Sequence, residues 1–335
     1  MRIALDVMGG DLGPRATIEG AYLYLKNAPK DDHIILVGDE NVIRERLKHI
    51  PAKFHERMSV VHAPENIGMN ESPTEAFKKK QNSSMVVGLN LHARGEADAF
   101  VSAGHTGAQM AGSLLTLKRI PGVKRPAIGS FLPSEKGMVF LIDVGANVDS
   151  KPLHLLQFAM MAEIFVGEVF NQKDLKIGLL SIGEEEKKGN ALVLEAHQLF
   201  KKSLTNFYGN VEGRDIFKGT TDIIVCDGFV GNVLLKMAES VMGMIIKGIK
   251  RSIGANLFTN LGAFLVKPAF HELKRSYDYE EYGGVPLLGV NGISVICHGS
   301  SSGKAIQNAL KVAKNMALKN VNRLIAEKLK EKEMP

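Results

Sequence analysis

The sequence predicts an α/β protein: a mostly parallel β-sheet flanked by helices. A short apolar β-run, a glycine- and polar-rich junction and then a helical pattern recur along the chain, as βαβ units require. Several β-runs, "FLID", "IIVC" and "ISVIC", are continuously apolar, which suits strands buried on both faces. The 34 glycines among 335 residues suit a fold with many tight strand–helix junctions.

The elements follow in order. "RIALDV" leads through "MGGDLGP" to a helix from Arg15. "HIILVGDE" (33–40) leads to a helix from Asn41, and "MSVVHAPE" (58–65) to a loop in which Pro73 opens the next helix. "ADAFVSAG" runs into "HTGAQM", and Ala108 to Leu117 reads as a helix. "MVFLIDVGANVDSKP" (138–152) ends in a polar junction before a helix from Leu153. "KIGLLSIG" (176–183) precedes "EEEKKGNAL", and "TDIIVCDGF" (221–229) precedes "VGNVLLKMAES". "ISVICHGSSSGKA" (293–305) enters a tail that reads as one long helix from Lys304 to Lys332. No Pro/Gly/Ser-rich linker and no internal repeat divides the chain. The expectation is a single α/β unit over 1–335 with a protruding helical segment at 240–280.

Composition narrows the function. The chain is 45% hydrophobic and 23% charged, ordinary for a globular protein. A net charge of +6 favours acidic partners. Trp is absent and aromatics make up 6%, so stacking platforms are scarce and nucleic acid is not an expected partner. Cys226 and Cys297 are far apart and form no C-x-x-C motif, which argues against a structural zinc or redox pair and fits a reducing cytoplasm. The N-terminus, with Asp6, does not read as a signal peptide, and no run reaches the roughly 20 apolar residues of a spanning helix.

In parallel sheets ligands bind outside the carboxyl ends of the strands, where the junctions lie. Helix-start N–H groups carry roughly +0.5 charge, and glycines let an anion approach them. The candidate anion-binding residues are Gly9, Gly10, Asp11, Ser102, Gly104, His105, Thr106, Asn147, His298 and Ser300. Taken singly, each junction also fits a plain turn. Lys187 and Lys188 precede Gly189 and Asn190; a lysine there suits a phosphate or a developing oxyanion, or simply a solvated loop. Asp227 and Asn232 flank Gly228 and Gly231, and Asn232 either donates to an oxyanion or caps a helix. Asn147 and Asp149 orient a substrate or end a strand. Lys78, Lys79 and Lys80 offer further cations. "GSSSGK" (299–304) is not a Walker A motif, having three residues between its glycines. No ligand spacing suggests a metal, and no cofactor is expected. Cys226 lacks an adjacent base and no G-x-S-x-G elbow exists, so an acyl-transfer enzyme of this sequence takes its nucleophile from a substrate.

The stretch 252–266 carries no charge. Leu257, Phe258, Leu261, Phe264 and Leu265 follow helical spacing, with Lys247, Lys250 and Arg251 before and Lys267, Lys274 and Arg275 after. It suits adsorption to an anionic membrane surface, or a core or dimer-contact helix.

The ordered motifs "ALDVMGGDLGP", "SAGHTGA", "LIDVGANVDSKP", "EEEKKGNAL", "CDGFVGNVLLK" and "YGGVPLLGVNGISVICHGSSS" resemble the bacterial phosphate acyltransferase (PlsX) family of phospholipid synthesis. His105 departs from a family pattern in which Asn is common. The resemblance implies a dimeric three-layer α/β/α sandwich, similar to isocitrate/isopropylmalate dehydrogenases and phosphotransacetylase. It implies a reaction of fatty acyl-[acyl carrier protein] with inorganic phosphate to give acyl phosphate, consumed by a membrane glycerol-3-phosphate acyltransferase. It places the catalytic lysine and asparagine on Lys188 and Asn232. It implies a cytoplasmic protein at the inner face of the cell membrane. The alternatives are a phosphotransacetylase-like enzyme using acyl-CoA, a non-catalytic membrane scaffold, and an oxidoreductase. The last is disfavoured because no G-x-G-x-x-G follows a strand and no arginine cluster awaits a dicarboxylate.

Overall fold

The structure, a computed structural model, describes residues 1–253 and 283–331. The chain divides into two compact units. The first comprises Met1–Gly129, Gln157–Leu175 and the described part of Glu280–Pro335; the second comprises Ser130–Leu156 and the described part of Lys176–Tyr279. Two of the boundaries fall inside a strand and a helix, so no linker composition marks them.

In the first unit the strands are β1 (Arg2–Asp6), β2 (His33–Gly38), β3 (Met58–His62), β4 (Ala99–Ser102), β10 (Val285–Leu288) and β11 (Ser294–Ile296). Their order is β3-β2-β1-β4-β11-β10. β1 pairs in parallel with β2 (Leu5 beside Leu36) and with β4 (Leu5 beside Val101). β10 runs antiparallel to β11 and to the start of β5 (Ala127–Ser134). The helices are α1 (Gly13–Asn27), α2 (Glu40–Leu47), α3 (Pro73–Lys79), α4 (Ser84–Ala93), α5 (Thr106–Leu117), α10 (Gly303–Leu318), α11 (Val321–Glu331) and most of α6 (Pro152–Phe170). α1 packs on α10, and α4 packs on β1, β2 and β4. The core includes Ile3, Leu5, Leu36 and Phe100, each worth roughly 1.5–3 kcal/mol when fully buried.

In the second unit β6 (Gly137–Ile142), β9 (Ile223–Val225), β7 (Ile177–Leu180) and β8 (Phe207–Val211) lie in that order and all parallel. Its helices are α7 (Ala191–Ser203), α8 (Gly213–Lys218) and α9 (Gly228–Ile253), with the start of α6. Phe140, Leu179, Ile223 and Ile224 are fully buried in its sheet. The mostly parallel α/β sandwich that the sequence predicts is therefore present.

The details differ from expectation in several places. β5, β8 and β10 are strands the sequence pattern does not announce. The tail is two helices, broken at Asn320, whose φ is 51°. α6 and α9 both have the length and apolarity to cross a membrane, contrary to the sequence reading; α6 is 61% buried over that window and α9 only 6%. α6 is a core helix, whereas α9 exposes Phe229, Val233, Met237, Met244 and Ile245. Leu257, Phe258, Leu261, Phe264 and Leu265 lie outside the described residues.

Candidate active site

In the first unit three strand–helix junctions meet. β1 ends at Asp6, which is 1% exposed. Its Oδ1 accepts the N–H groups of Met8 (3.1 Å) and Gly9 (3.2 Å), and its Oδ2 accepts the Ser102 hydroxyl at 2.7 Å. Ser102 Oγ accepts in turn from the Gly104 N–H at 2.9 Å. Burial pushes the Asp6 carboxyl up from its ordinary range, against the opposing pull of these hydrogen bonds. Gly9 is required where the loops touch: a Cβ there would lie 2.6 Å from Gly104 N. The Asp11 N–H donates to Gly299 O at 2.7 Å, which brings the β11–α10 junction beside the other two.

The loops carrying Gly9, Gly10, Asp11, Ser102, Gly104, His105, Thr106, His298 and Ser300 are thus assembled in one place. Their side chains play different parts. Ser102 is buried and spends its hydroxyl on Asp6, so it shapes backbone. His105 caps α5: its Nδ1 accepts from the Ala108 N–H at 3.4 Å, while Nε2 faces the Glu71 carbonyl at 3.2 Å. A carbonyl only accepts, so this geometry is that of the Nε2–H tautomer, with both ring nitrogens engaged. Asp11, Thr106, His298 and Ser300 are exposed, and His298 Nδ1 lies 2.7 Å from Ser300 Oγ. Sequence reasoning passed over Ser301. It is 3% exposed in the same loop, and its hydroxyl has no hydrogen-bond partner among the described residues.

In the second unit, β6 gives way to Asp143, and its carboxylate repeats the device. It accepts from Ala146 N (3.1 Å), Asn147 N (2.7 Å) and Asn147 Nδ2 (2.9 Å). Asn147 therefore serves the loop, and its carbonyl accepts from Gly228 N at 2.9 Å, tying in the start of α9. Asp227 Oδ1 accepts from Val230 N at 3.0 Å, so the capping role open to Asn232 belongs to Asp227. Asn232 is exposed, and its side chain makes no hydrogen bond among the described residues. Its Cγ lies 3.5 Å from where a Cβ on Gly145 would sit.

Lys188 sits on the loop between β7 and α7. The Ser181 hydroxyl donates to Lys188 O at 2.9 Å, and Asn210 Nδ2 donates to Glu185 O at 2.8 Å. Asn210 Oδ1 is 2.8 Å from His197 Nδ1, which must be the donor because the amide oxygen only accepts. Asn210 and His197 are 2% and 3% exposed. Sequence reasoning missed both; a polar pair spaced along α7 and β8 gave no motif. Asn190 caps α7 by accepting from Val193 N at 3.0 Å. Two ion pairs form nearby, Lys201 with Glu186 at 2.6 Å and Arg214 with Glu184 at 3.4 Å. Lys201 also holds the Glu186 carboxyl below its usual range. Lys188 is exposed and has no ion pair among the described residues. Elsewhere, Lys80 is held by Glu71 at 2.6 Å and Lys79 by Glu75 at 3.4 Å, leaving Lys78 as the unpaired member of that run among the described residues.

Both cysteines are buried. Burial, reinforced by Asp227 and Asp143, pushes the Cys226 thiol well up, and burial pushes Cys297 up to about 12. Neither supplies a thiolate at neutral pH. Among the described residues no group of three His, Cys, Asp or Glu side chains is placed to hold a metal.

The fold is that of the phosphotransacetylases. It matches the EutD phosphotransacetylase from Staphylococcus aureus at TM-score 0.62 and 16% identity, covering 95% of this chain and 94% of that one. A phosphotransacetylase from Streptococcus pyogenes matches at TM-score 0.62 and 19% identity, again over 95% and 94%. Sequence resolves the family. Residues 1–324 match the family described as Fatty acid synthesis protein. The phosphate acyltransferase of Desulforamulus reducens is 49% identical over 98% of this chain and 97% of its own, and that of Pelotomaculum thermopropionicum 49% over 94% and 91%. The chain belongs to this family, that of the PlsX phosphate acyltransferases, and is an acyltransferase of lipid synthesis.

Proposed function

We propose that the chain transfers the acyl group of a fatty acyl-[acyl carrier protein] to inorganic phosphate, giving acyl phosphate and free carrier thiol. The observation that carries this reading is the state of Lys188: an exposed ammonium with no ion pair among the described residues, on a loop whose backbone is pinned by Ser181 and Asn210. A fixed cation without a partner suits a charge that appears only during reaction. Asn232 offers the second donor. A thioester is already activated, its leaving thiol having a pKa near 8.5, so a phosphate oxygen attacks the carbonyl directly. The C–O bond forms as the tetrahedral oxyanion develops; collapse breaks C–S and releases the carrier thiolate. The burial and raised pKa of both cysteines support a route without a cysteine-bound intermediate.

In this reading the protein works in the cytoplasm as a homodimer and meets the inner face of the membrane through α9 and the segment that follows. A membrane glycerol-3-phosphate acyltransferase consumes its product. The test is to incubate the protein with acyl-[acyl carrier protein], with acyl-CoA, and with each of these lacking phosphate. Phosphate-dependent thiol release from the carrier supports the reading. Release without phosphate, or from acyl-CoA alone, sinks it.

A further inference from the structure

Beside the Lys188 loop the second unit holds a cleft of about 500 Å³, within the roughly 300–1,000 Å³ of small-molecule sites. It lies at the carboxyl ends of β7 and β9. Leu155 and Leu179, both fully buried, line its depth, and Leu192 and Val193 of α7 and Val230 and Leu234 of α9 line its sides. Polar groups are few: Ser181, Asn190 and Asp227, on the loops that lead out of the two strands. Gly189 and Asn190, the two residues after Lys188, also line it, so the candidate catalytic loop forms part of its wall. No lysine, arginine or aromatic ring stands in the lining. Asn190 and Asp227 spend side-chain oxygens on capping α7 and α9, and the remaining surface is chiefly aliphatic.

We propose that this cleft takes the aliphatic chain of the acyl thioester, and that Leu192 and Leu234 set how long a chain is accepted. The proposal rests on the acyl-transfer reading above and adds to it where the chain lies. Each methylene withdrawn from water into such a cleft is worth about fourfold in affinity. A long chain therefore gains from the cleft what a short one cannot, and filling the cleft penalises the long chain selectively.

The experiment compares wild type with Leu234→Trp and Leu192→Trp, one on each wall, using hexanoyl and hexadecanoyl thioesters of carrier protein. Both side chains are part-exposed, so the indole has room to settle. Each variant is expected to lose at least about tenfold in kcat/KM for the hexadecanoyl substrate and to stay within about twofold for the hexanoyl one. Equal loss for both chains, or no loss, overturns the proposal. A second measurement needs no variant and no turnover. Wild-type protein is photolabelled with a diazirine-bearing hexadecanoic acid, and the adducts are mapped by mass spectrometry. Adducts on peptides spanning 189–193 or 230–234 sustain the cleft, and adducts confined elsewhere overturn it. If no thioester gives phosphate-dependent thiol release, the acyl-transfer reading falls, and the labelling pattern still decides the cleft.

Discussion

Lys188 and Asn232 are surface side chains whose removal costs the fold little, because neither makes a hydrogen bond or ion pair among the described residues. Losing a donor to a developing oxyanion costs about 10²–10³ in turnover. Lys188→Ala is therefore expected to lower kcat by at least about a hundredfold with an unchanged denaturation midpoint; near-normal turnover would remove it from the mechanism. Asp6 is the opposite kind of residue: buried, and hydrogen-bonded to two loops. Its pKa in the fold is raised, so its protonation stabilises the folded state at low pH. That contribution is full below the ordinary carboxylate range and is lost as pH rises through the raised value. Asp6→Asn carries no such loss. Its stability relative to wild type should therefore rise in urea titrations as pH climbs above the ordinary carboxylate range and through the raised value. A difference that stays flat with pH would show that Asp6 does not titrate with a raised pKa.

At the scale of elements, the recurrent device is a strand that ends in an aspartate whose carboxylate gathers the N–H groups of the next turn. It occurs after β1 with Asp6 and after β6 with Asp143. Close approach of α9 completes the second instance: a Cβ on Gly231 would stand 1.9 Å from the Asp143 carbonyl oxygen. That oxygen is backbone and cannot swing aside. Gly231→Ala should push α9 outward and cost about 1–3 kcal/mol, as overpacking does, with Asn232 displaced and kcat reduced. Asn210→Ala acts from the other side of the same unit. It leaves the Glu185 carbonyl without its donor, at about 1–3 kcal/mol, and frees the Lys188 loop. Its signature is a fall in kcat with little change in KM for carrier thioester; an equal rise in KM would point to a general loss of structure.

These elements also show what the sequence made legible. Continuous apolar runs announced β4, β6, β9 and β11 because burial on both faces leaves a local mark. β5, β8 and β10 escaped because "AIGSFLPS", "FYGNV" and "VPLL" carry glycine, proline or serine within the run. Lys188 and Asn232 stood among several polar residues near strand–helix junctions, and only the family resemblance singled them out. Asp6 with Ser102 was not, since 96 residues separate the partners, and neither was Asn210, 25 residues from the carbonyl it holds. Polar side chains that serve backbone carry no local periodicity to read.

At the scale of the whole molecule the relevant quantity is the net charge of +6. Some of the charge cancels locally, as in Lys80 with Glu71 and Lys201 with Glu186, while Lys78, Lys187 and Lys188 are among the cations without an ion pair among the described residues. In the proposed reaction a net positive charge draws in the acidic carrier through a long-range field, which salt shortens to about 10 Å at 0.1 M and about 3 Å at 1 M. Raising ionic strength from about 0.05 M to about 0.5 M should therefore raise KM for the carrier-borne thioester several-fold, chiefly through slower association. The control is the same acyl group on N-acetylcysteamine, which is uncharged. Any salt effect on phosphate binding or on chemistry appears in both substrates and divides out of the ratio. Lys78→Glu should lower kcat/KM for the carrier substrate at low salt and leave the N-acetylcysteamine thioester unaffected, with the gap closing as salt increases. If instead both thioesters respond alike, the field does not steer the carrier. Recognition would then have to come from short-range contacts, which salt shifts far less.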